Sequence, residues 1–230
     1  MKRIGLIGGL SWESTATYYR LLNERVAASH GAWQQPPVLV DSLNFADVVA
    51  MQQRDDWSAT AVALAESARR LEVAGAQVLG ICANTMHANF ADVLAAVSIP
   101  VVDIRDAIVS AARVLGASSI VLLGTKYLMA SDLYSSHLER AGLDVVRPTA
   151  AHIDELQSII YDELTLGVVK DASRKRFFAI ADEGRARGGD VVGLCCTEFG
   201  MFLEGDVAPW PYIDSTTAHV DALLRAASGS

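Results

Sequence analysis

Short apolar runs alternate with longer helical segments along almost the whole chain, and this alternation constrains the fold more than any other feature. The runs are rich in β-branched residues, are bounded by Gly or Pro, and lie at 3–8, 37–42, 77–82, 100–104, 119–124, 191–196 and 211–215. Runs of this kind are typical of parallel strands buried on both faces. Helical spacing follows several of them, as at 11–29, 57–75 and 215–228. The pattern predicts an α/β fold with parallel sheets.

An internal repeat refines this prediction. Three pairs of motifs recur in the same order at offsets of 111 to 116 residues: "IGLIGG" with "IVLLGT", "VLGICANT" with "VVGLCCTE", and "PVVD" with "PYID". Recurrence at a nearly fixed offset indicates two similar halves. We therefore predict two pseudo-symmetric, doubly wound parallel-sheet domains. The first comprises 1–103 plus 215–230, and the second comprises 104–214.

Composition excludes several function classes. The 230 residues carry a formal net charge of −8, which argues against a general nucleic-acid surface, since such surfaces need clustered Lys and Arg. The N-terminal apolar run is too short for a signal peptide, and no stretch approaches the roughly 20 apolar residues that span a bilayer. We expect a cytoplasmic protein, with no membrane partner and with reduced thiols. Neither a zinc-type spacing nor a Schiff-base lysine with a phosphate cup is evident, so we expect no metal and no cofactor.

The three cysteines are the most informative polar residues. Cys82 ends the third apolar run, and Cys196 ends the corresponding run of the second half, next to Cys195. Ligands of parallel α/β sheets bind at the carboxyl ends of strands, so two facing halves would bring Cys82 and Cys196 to opposite sides of one ligand in the cleft between them. Adjacent strand residues point to opposite faces, so Cys195 is expected to be a packing residue.

Two thiols on opposite sides of one carbon suit racemisation. One group removes the α-proton from one face while the other delivers a proton to the opposite face, and a thiolate and a thiol can exchange these roles. Both cysteines lie at strand-to-helix turns, where we expect helix N-terminal amides to lower the thiol pKa.

The motifs "IGLIGGLSWEST", "CANTMH" and "CTEFG" resemble the aspartate/glutamate racemase family, and the likeness runs through nearly the whole chain. The resemblance implies a cofactor-independent racemase of two α/β domains that each supply one catalytic cysteine, assembled as a homodimer. It gives Cys196 the catalytic place and leaves Cys195 where the family often has Gly. Cys195 is one departure from the family pattern, and the insertion of Ala83 before Asn84 is another. Glu198 fits the pattern Gly-Cys-Thr-Glu; cell-wall glutamate racemases typically have His there, so the resemblance points to the branch that includes broad aspartate/glutamate racemases.

Further site residues follow from strand ends and from the resemblance. Amides of the Gly9-Leu10-Ser11 turn could hold a carboxylate, and polar residues after strands could either cap helices or bind carboxylates. The resemblance implies substrate contacts for Gln52, read as part of a polar loop, and for Lys170. The predicted substrate-binding set is Gly9, Leu10, Ser11, Gln52, Ala83, Asn84, Thr85, Thr125, Lys170, Thr197 and Glu198. Arg54, Lys126 and His87 stay open, His87 either supporting Cys82 or facing solvent.

The sequence thus predicts an isomerase that interconverts L- and D-aspartate, glutamate or both, with Cys82 and Cys196 as its two bases. Three alternatives stay open: a related isomerase such as a maleate isomerase or hydantoin racemase, a hydrolase with a single nucleophilic cysteine, and a protein that binds amino acids without turning them over.

Overall fold

A computed structural model describes residues 1–203 and 208–229 of the chain. The chain forms two compact units. The first contains Met1–Asp103 together with the C-terminal residues from His219 onward, and the second contains Ile104–Ala218.

The first unit is built on a four-stranded parallel sheet in the order β2-β1-β3-β4. A short 3₁₀ helix, Thr85–Asn89, links β3 to α4. The elements are β1 (Ile4–Gly8), α1 (Trp12–His30), β2 (Val38–Ser42), α2 (Phe45–Gln53), α3 (Trp57–Val73), β3 (Val78–Ile81), α4 (Phe90–Ala96) and β4 (Val101–Val102).

The second unit has its own four-stranded parallel sheet, in the order β6-β5-β7-β8. Two 3₁₀ helices, Leu164–Leu166 and Thr197–Leu203, follow α8 and β7. The elements are α5 (Ile104–Val114), β5 (Ser119–Gly124), α6 (Lys126–Met129), α7 (Asp132–Arg140), β6 (Asp144–Val146), α8 (Ala150–Asp162), α9 (Asp171–Ala186), β7 (Val191–Cys195), β8 (Tyr212–Asp214) and α10 (Ser215–Ser228). Helix α10 starts in the second unit and runs into the first.

The predicted α/β class with parallel sheets in two similar halves is confirmed. Each of the seven apolar runs contains a strand, and the two sheets share one strand order. The run analysis missed one strand, β6, which pairs with β5 at the edge of the second sheet. Its three residues are exposed or half-buried, so they carry no continuous apolar run that the sequence could display.

Local sequence explains where the elements begin and pack. Ser11 caps α1 by accepting a hydrogen bond from the Ser14 amide at 3.1 Å, as its position before the helix predicts. Residues four apart on α1, including Tyr18 and Leu22, face the core. Strands β1, β3, β5 and β7 are buried along their whole length, because helices cover both faces of each sheet.

The end of the chain completes the first unit. Val220 and Leu223 of α10 lie in one apolar cluster with Ile4 and Leu6 of β1. The Lys2 amide donates to the Ala227 carbonyl at 2.8 Å, so both ends of the chain meet in this unit. Among the helices of the described residues, none has the length and apolar character needed to cross a bilayer.

Candidate active site

Each unit carries one thiol at an equivalent strand end. Cys82 directly follows β3, and Cys196 directly follows β7. Strands β3 and β7 hold the same place in their sheets, third in the strand order. The carboxyl ends of such inner parallel strands are where α/β proteins place their functional groups.

The backbone of Cys82 is fixed on both sides. Its amide donates to the Ile7 carbonyl at 2.9 Å, and its carbonyl accepts a hydrogen bond from the Ser14 hydroxyl. The side chain is fully buried, in the same apolar cluster as Tyr18 and Val220. This thiol is therefore held by α1, β1 and α10 together.

The Gly9-Leu10-Ser11 turn lies at the end of β1. Gly9 has a φ of 70°, and a Cβ there would lie 2.0 Å from the Leu43 carbonyl oxygen, so only glycine fits. Its amide, which we expected to hold a carboxylate, donates to the Thr15 hydroxyl at 2.8 Å. Leu10 packs its side chain into the core, and Ser11 caps α1.

Gln52 lies in the last turn of α2, so our placement of this residue in a polar loop was wrong; Arg54 then caps the helix. Of the residues in Phe45–Gln53 only Val48 and Gln52 are buried, and nine residues are too few for a clear helical period. The Gln52 side chain is buried, so its amide is positioned to hydrogen-bond a protein or ligand group rather than bulk water.

The segment after β3 carries Ala83 and Thr85, which are half-buried, and Asn84, which is buried. His87 does not face solvent: it is 1% exposed, and its Nδ1 donates to the Ala83 carbonyl at 2.8 Å. Because Ala83 directly follows Cys82, this hydrogen bond fixes the turn that carries the thiol.

Cys196 has a charged partner. Its Sγ donates to Glu198 Oε2 at 3.0 Å, and the Thr197 hydroxyl donates to the same oxygen at 2.7 Å. Cys196 and Glu198 are both buried. The 3₁₀ helix Thr197–Leu203 brings these three consecutive residues together, because its tight turn folds Glu198 back over the end of β7.

Burial raises the pKa of the Cys82 thiol and of the Cys196 thiol well above the ordinary value. For Cys196 the negative charge of Glu198 adds to this rise in pKa. The direction is opposite to the lowering that we expected from helix N-terminal amides, because removal of water from a buried thiolate outweighs them. Both groups therefore rest as thiols near neutral pH.

Cys195 lies in the core of the second unit and is 1% exposed. Burial raises its pKa to about 12, while a hydrogen bond with Tyr134 acts in the opposite direction. Its sulfur lies near Gly193, where an added Cβ would come within 2.6 Å of the Ile120 side chain, so this part of the core is closely packed. These surroundings are those of a packing residue.

A tyrosine that the sequence did not single out adjoins Cys196. Burial raises the pKa of Tyr161, on α8, and the nearby groups of Tyr127, Cys196 and Glu198 raise it further. Gln157, one turn earlier on the helix, hydrogen-bonds this phenol, and its Oε1 accepts the Lys126 amide at 2.8 Å. Nothing in the helical spacing of α8 distinguishes Tyr161 from a core aromatic residue.

Thr125 and Lys126 mark the end of β5. Thr125 is buried and precedes α6 as its cap residue, and its carbonyl accepts the Leu128 amide at 3.0 Å. The Lys126 side chain is exposed, and its ammonium lies 5.3 Å from the centre of the Tyr127 ring. Thr125 thus lies beside the inner strand β5, and Lys126 is directed toward an aromatic face.

Lys170 precedes α9 and has a partner. Its Nζ lies 3.2 Å from Glu163 Oε1. The Lys170 side chain is 59% exposed and that of Glu163 only 12%, so the lysine covers a carboxylate that the fold has largely removed from water. An ammonium that is this exposed can exchange one carboxylate partner for another at low cost.

The chain is similar to known proteins over nearly its whole length. The family model described as Asp/Glu/hydantoin racemase matches residues 7–223. A candidate Asp/Glu racemase from Yersinia pestis is 34% identical, with a TM-score of 0.90, over 99% of this chain and 100% of that one. An aspartate racemase homologue from Pyrococcus horikoshii OT3 is also 34% identical, with a TM-score of 0.86, over 99% and 100% of the two chains.

An aspartate racemase from Picrophilus torridus shares the fold at 20% identity, with a TM-score of 0.79 over 99% of this chain and 95% of that one. The match to the family model covers nearly the whole chain and includes both thiol-bearing strand ends. The chain therefore belongs to the Asp/Glu/hydantoin racemase family, and it is an isomerase of the racemase class.

Proposed function

We propose that this enzyme interconverts L- and D-aspartate, glutamate or both without pyridoxal phosphate, using Cys82 and Cys196 as its two acid–base groups. The observation that carries the proposal is the placement of one buried thiol after β3 and one after β7, the equivalent strands of the two units. Membership of the Asp/Glu/hydantoin racemase family supports it.

The chemistry begins with one thiolate. Cys196 transfers its proton to Glu198, whose carboxylate oxygen lies 3.0 Å from Sγ. The thiolate then removes the α-proton of the substrate and becomes a thiol again, leaving a carbanion stabilised by the adjacent carboxylate. The Cys82 thiol delivers its own proton to the opposite face and is left as the thiolate. Before the next turnover in the same direction, Glu198 releases its proton to solvent and Cys82 takes one up from solvent. The reverse reaction exchanges these roles.

Burial of the thiols favours this scheme. A thiolate without water is a stronger base than a hydrated one, since desolvation raises its pKa toward that of the α-proton. The substrate ammonium supplies a positive charge that favours the thiolate once the substrate is bound. Buried polar side chains then stabilise the developing negative charge: Asn84 and Thr125 after their strands, and Gln52 in the last turn of α2.

We propose the following roles for the remaining site residues. Lys170 exchanges its contact with Glu163 for a substrate carboxylate, and Tyr161 contributes its hydroxyl beside Cys196. The full substrate-binding set comprises Gly9, Leu10, Ser11, Gln52, Ala83, Asn84, Thr85, Thr125, Lys170, Thr197 and Glu198. Aspartate is the first substrate to test, because one relative of 34% identity is named an aspartate racemase homologue.

Exchange of the α-proton in D₂O tests the proposal. We expect reduced enzyme to incorporate deuterium into L-aspartate or L-glutamate while the D-enantiomer accumulates. Cys82→Ser and Cys196→Ser should each lower the rate of racemisation by at least about a hundredfold, because serine is a far weaker acid than cysteine. Cys195→Ala is the matched control and should retain most activity, since Cys195 packs in the core.

The same experiment separates the alternatives. Deuterium uptake into hydantoins, but into neither amino acid, would make the enzyme a hydantoin racemase, an activity that the family description includes. Turnover of maleate alone would indicate an isomerase of that type. Hydrolytic turnover that requires Cys82 but is fully retained without Cys196 would point to a hydrolase with one nucleophilic cysteine. Binding of an amino acid without exchange of its α-proton would point to an amino-acid-binding protein.

We also propose that the enzyme acts as a homodimer in the cytoplasm. Sedimentation equilibrium tests the assembly directly, since a monomer has a mass of 24.6 kDa. A single species of this mass at micromolar concentration would contradict the dimer.

A further inference from the structure

Two buried, hydrogen-bonded side chains of the first unit, Tyr18 and His219, have no role in the proposed racemisation. Tyr18 of α1 hydrogen-bonds His219 of α10, with 2.8 Å between the hydroxyl and Nδ1. His219 Nε2 lies 3.0 Å from the Val102 carbonyl of β4. Tyr18 and His219 are both fully buried. Two residues 201 positions apart are thus joined to each other and to the sheet.

The direction of these hydrogen bonds is fixed by their acceptors. The Val102 carbonyl can only accept, so Nε2 carries the proton, and Nδ1 must accept from the Tyr18 hydroxyl. Burial, together with the neighbouring His87, lowers the pKa of His219 to about 3. The imidazole therefore stays neutral in one tautomer, and the ring cannot turn over without breaking both hydrogen bonds.

This fixed ring packs against the turn that carries Cys82. The rings of His219 and His87 meet edge to face, with 5.6 Å between their centroids and 74° between their planes. His87 in turn donates to the carbonyl of Ala83, the residue that follows Cys82. His219 also lies over β3: a Cβ added to Gly80 would come within 3.4 Å of its Cε1.

Helix α1 acts on the same turn by a second route. Ser14 donates to the Cys82 carbonyl one helical turn before Tyr18, and the Tyr18 ring shares an apolar cluster with the Cys82 side chain. An apolar pair in place of Tyr18 and His219 could fill the same volume. It would lack the hydrogen bonds that fix the orientation of residue 219 and its distance from β4.

We propose that the Tyr18–His219 pair is a positioning device that holds the Cys82 turn in the geometry for proton transfer. The inference rests on the proposed function, in which Cys82 exchanges a proton with the α-carbon. Neither Tyr18 nor His219 transfers a proton itself. They act through His87 and through the packing around Cys82. Their loss should therefore slow proton transfer to and from Cys82 and leave proton transfer at Cys196 unchanged.

Kinetic isotope effects test this asymmetry. Tyr18→Phe removes only the hydroxyl. His219→Gln keeps an amide donor for Val102 but lacks the ring nitrogen that accepts from Tyr18. We expect kcat to fall about tenfold to a hundredfold in His219→Gln, with KM changed by less than about threefold, because a small displacement of a reacting group costs this much in rate. Tyr18→Phe should show a smaller loss of the same kind, and the double variant should lose less than the product of the two.

The decisive measurement uses substrate deuterated at the α-carbon, in both directions. If transfer to and from Cys82 becomes slower, the isotope effect rises for the enantiomer that Cys82 deprotonates and falls toward one for the other enantiomer. Cys82→Ser with its residual activity identifies which enantiomer this is. Loss of thermal stability with isotope effects equal to wild type in both directions would reduce Tyr18 and His219 to structural residues and overturn the proposal.

A second readout does not depend on turnover. Alkylation by iodoacetamide, followed by peptide mass spectrometry, gives a rate for each cysteine in the folded protein. We expect both variants to raise the rate at Cys82 at least about tenfold relative to Cys196 as the turn loosens. The control His152→Gln changes a half-buried histidine of the second unit and should leave this ratio unaltered.

The two readouts distinguish the possible failures. An unchanged ratio in the Tyr18 and His219 variants would overturn the positioning role, even if the enzyme racemises aspartate. A raised ratio in a protein that exchanges no α-proton would retain the positioning of Cys82 and refute the proposed racemase instead.

Discussion

Replacement of Glu198 by Gln should make Cys196 more reactive toward alkylation while it makes the enzyme slower. In the structure the thiol donates to Glu198 Oε2 at 3.0 Å, so a thiolate there would face a carboxylate at the same distance. With an effective dielectric constant of about 20, two unit charges about 3 Å apart repel by roughly 5 kcal/mol. A gain of only about 1.4 kcal/mol multiplies a thiolate population by about ten.

The glutamine side chain in Glu198→Gln has almost the same shape as the carboxylate that it replaces, and it carries no charge. We therefore expect iodoacetamide to modify Cys196 at least about tenfold faster in this variant than in wild type at neutral pH. Racemisation should fall by about a hundredfold or more, because the group that receives the thiol proton is gone. Cys195, in the same protein, is the internal reference for alkylation, and Glu183→Gln controls for the loss of an exposed carboxylate.

Two results would refute this reasoning. An unchanged or slower alkylation of Cys196 in Glu198→Gln would mean that the carboxylate does not suppress the thiolate. Faster alkylation with wild-type racemisation would mean that Glu198 sets the charge of the thiol but takes no part in its proton transfer.

Two further predictions concern stability. Gly9→Ala should lower the free energy of unfolding by about 3 kcal/mol or more, because it adds a steric overlap with the Leu43 carbonyl to an unfavourable positive φ. Gly116→Ala is the control: φ is 66° there and nothing lies within 4 Å, so we expect a loss of only about 1 kcal/mol. Equal losses for the two variants in denaturant titrations would contradict the overlap. Hydrogen bonds from Ser118, foremost from its hydroxyl, lower the pKa of Asp190 to about 2 from an ordinary value of 3.8, so its stabilisation is complete above about pH 4 and disappears as the pH falls through 2. The stability difference between wild type and Asp190→Asn should accordingly shrink across this interval, and a constant difference would rule out the linkage.

The alternation of apolar runs and helical segments was sufficient to predict the two parallel sheets, because a strand buried on both faces is apolar at nearly every position. Cys82 and Cys196 could be located for the same reason, since each directly follows such a strand. Strand β6 and the helical position of Gln52 could not be predicted, because short edge strands and short helices carry too few residues to show a period.

The hydrogen-bond partners of the buried side chains could not be predicted from the sequence for another reason. The hydrogen bond between Tyr18 and His219 joins residues 201 positions apart, and only the tertiary fold brings them together. The direction of the thiol pKa shifts was also missed, because it depends on how completely the sulfur atoms are buried rather than on their place at a helix end.

The division of the first unit between the two ends of the chain bears on how the protein is made. Strands β1 to β4 leave the ribosome first, but His219, Val220 and Leu223, which pack against β1, β3 and Tyr18, emerge only after the whole of the second unit. The second unit is one continuous stretch, Ile104–Ala218, and can close during synthesis. The surroundings of Cys82 are thus completed last, and a translation product that stops after Ala218 carries the whole second unit but lacks the part of α10 that packs around Cys82.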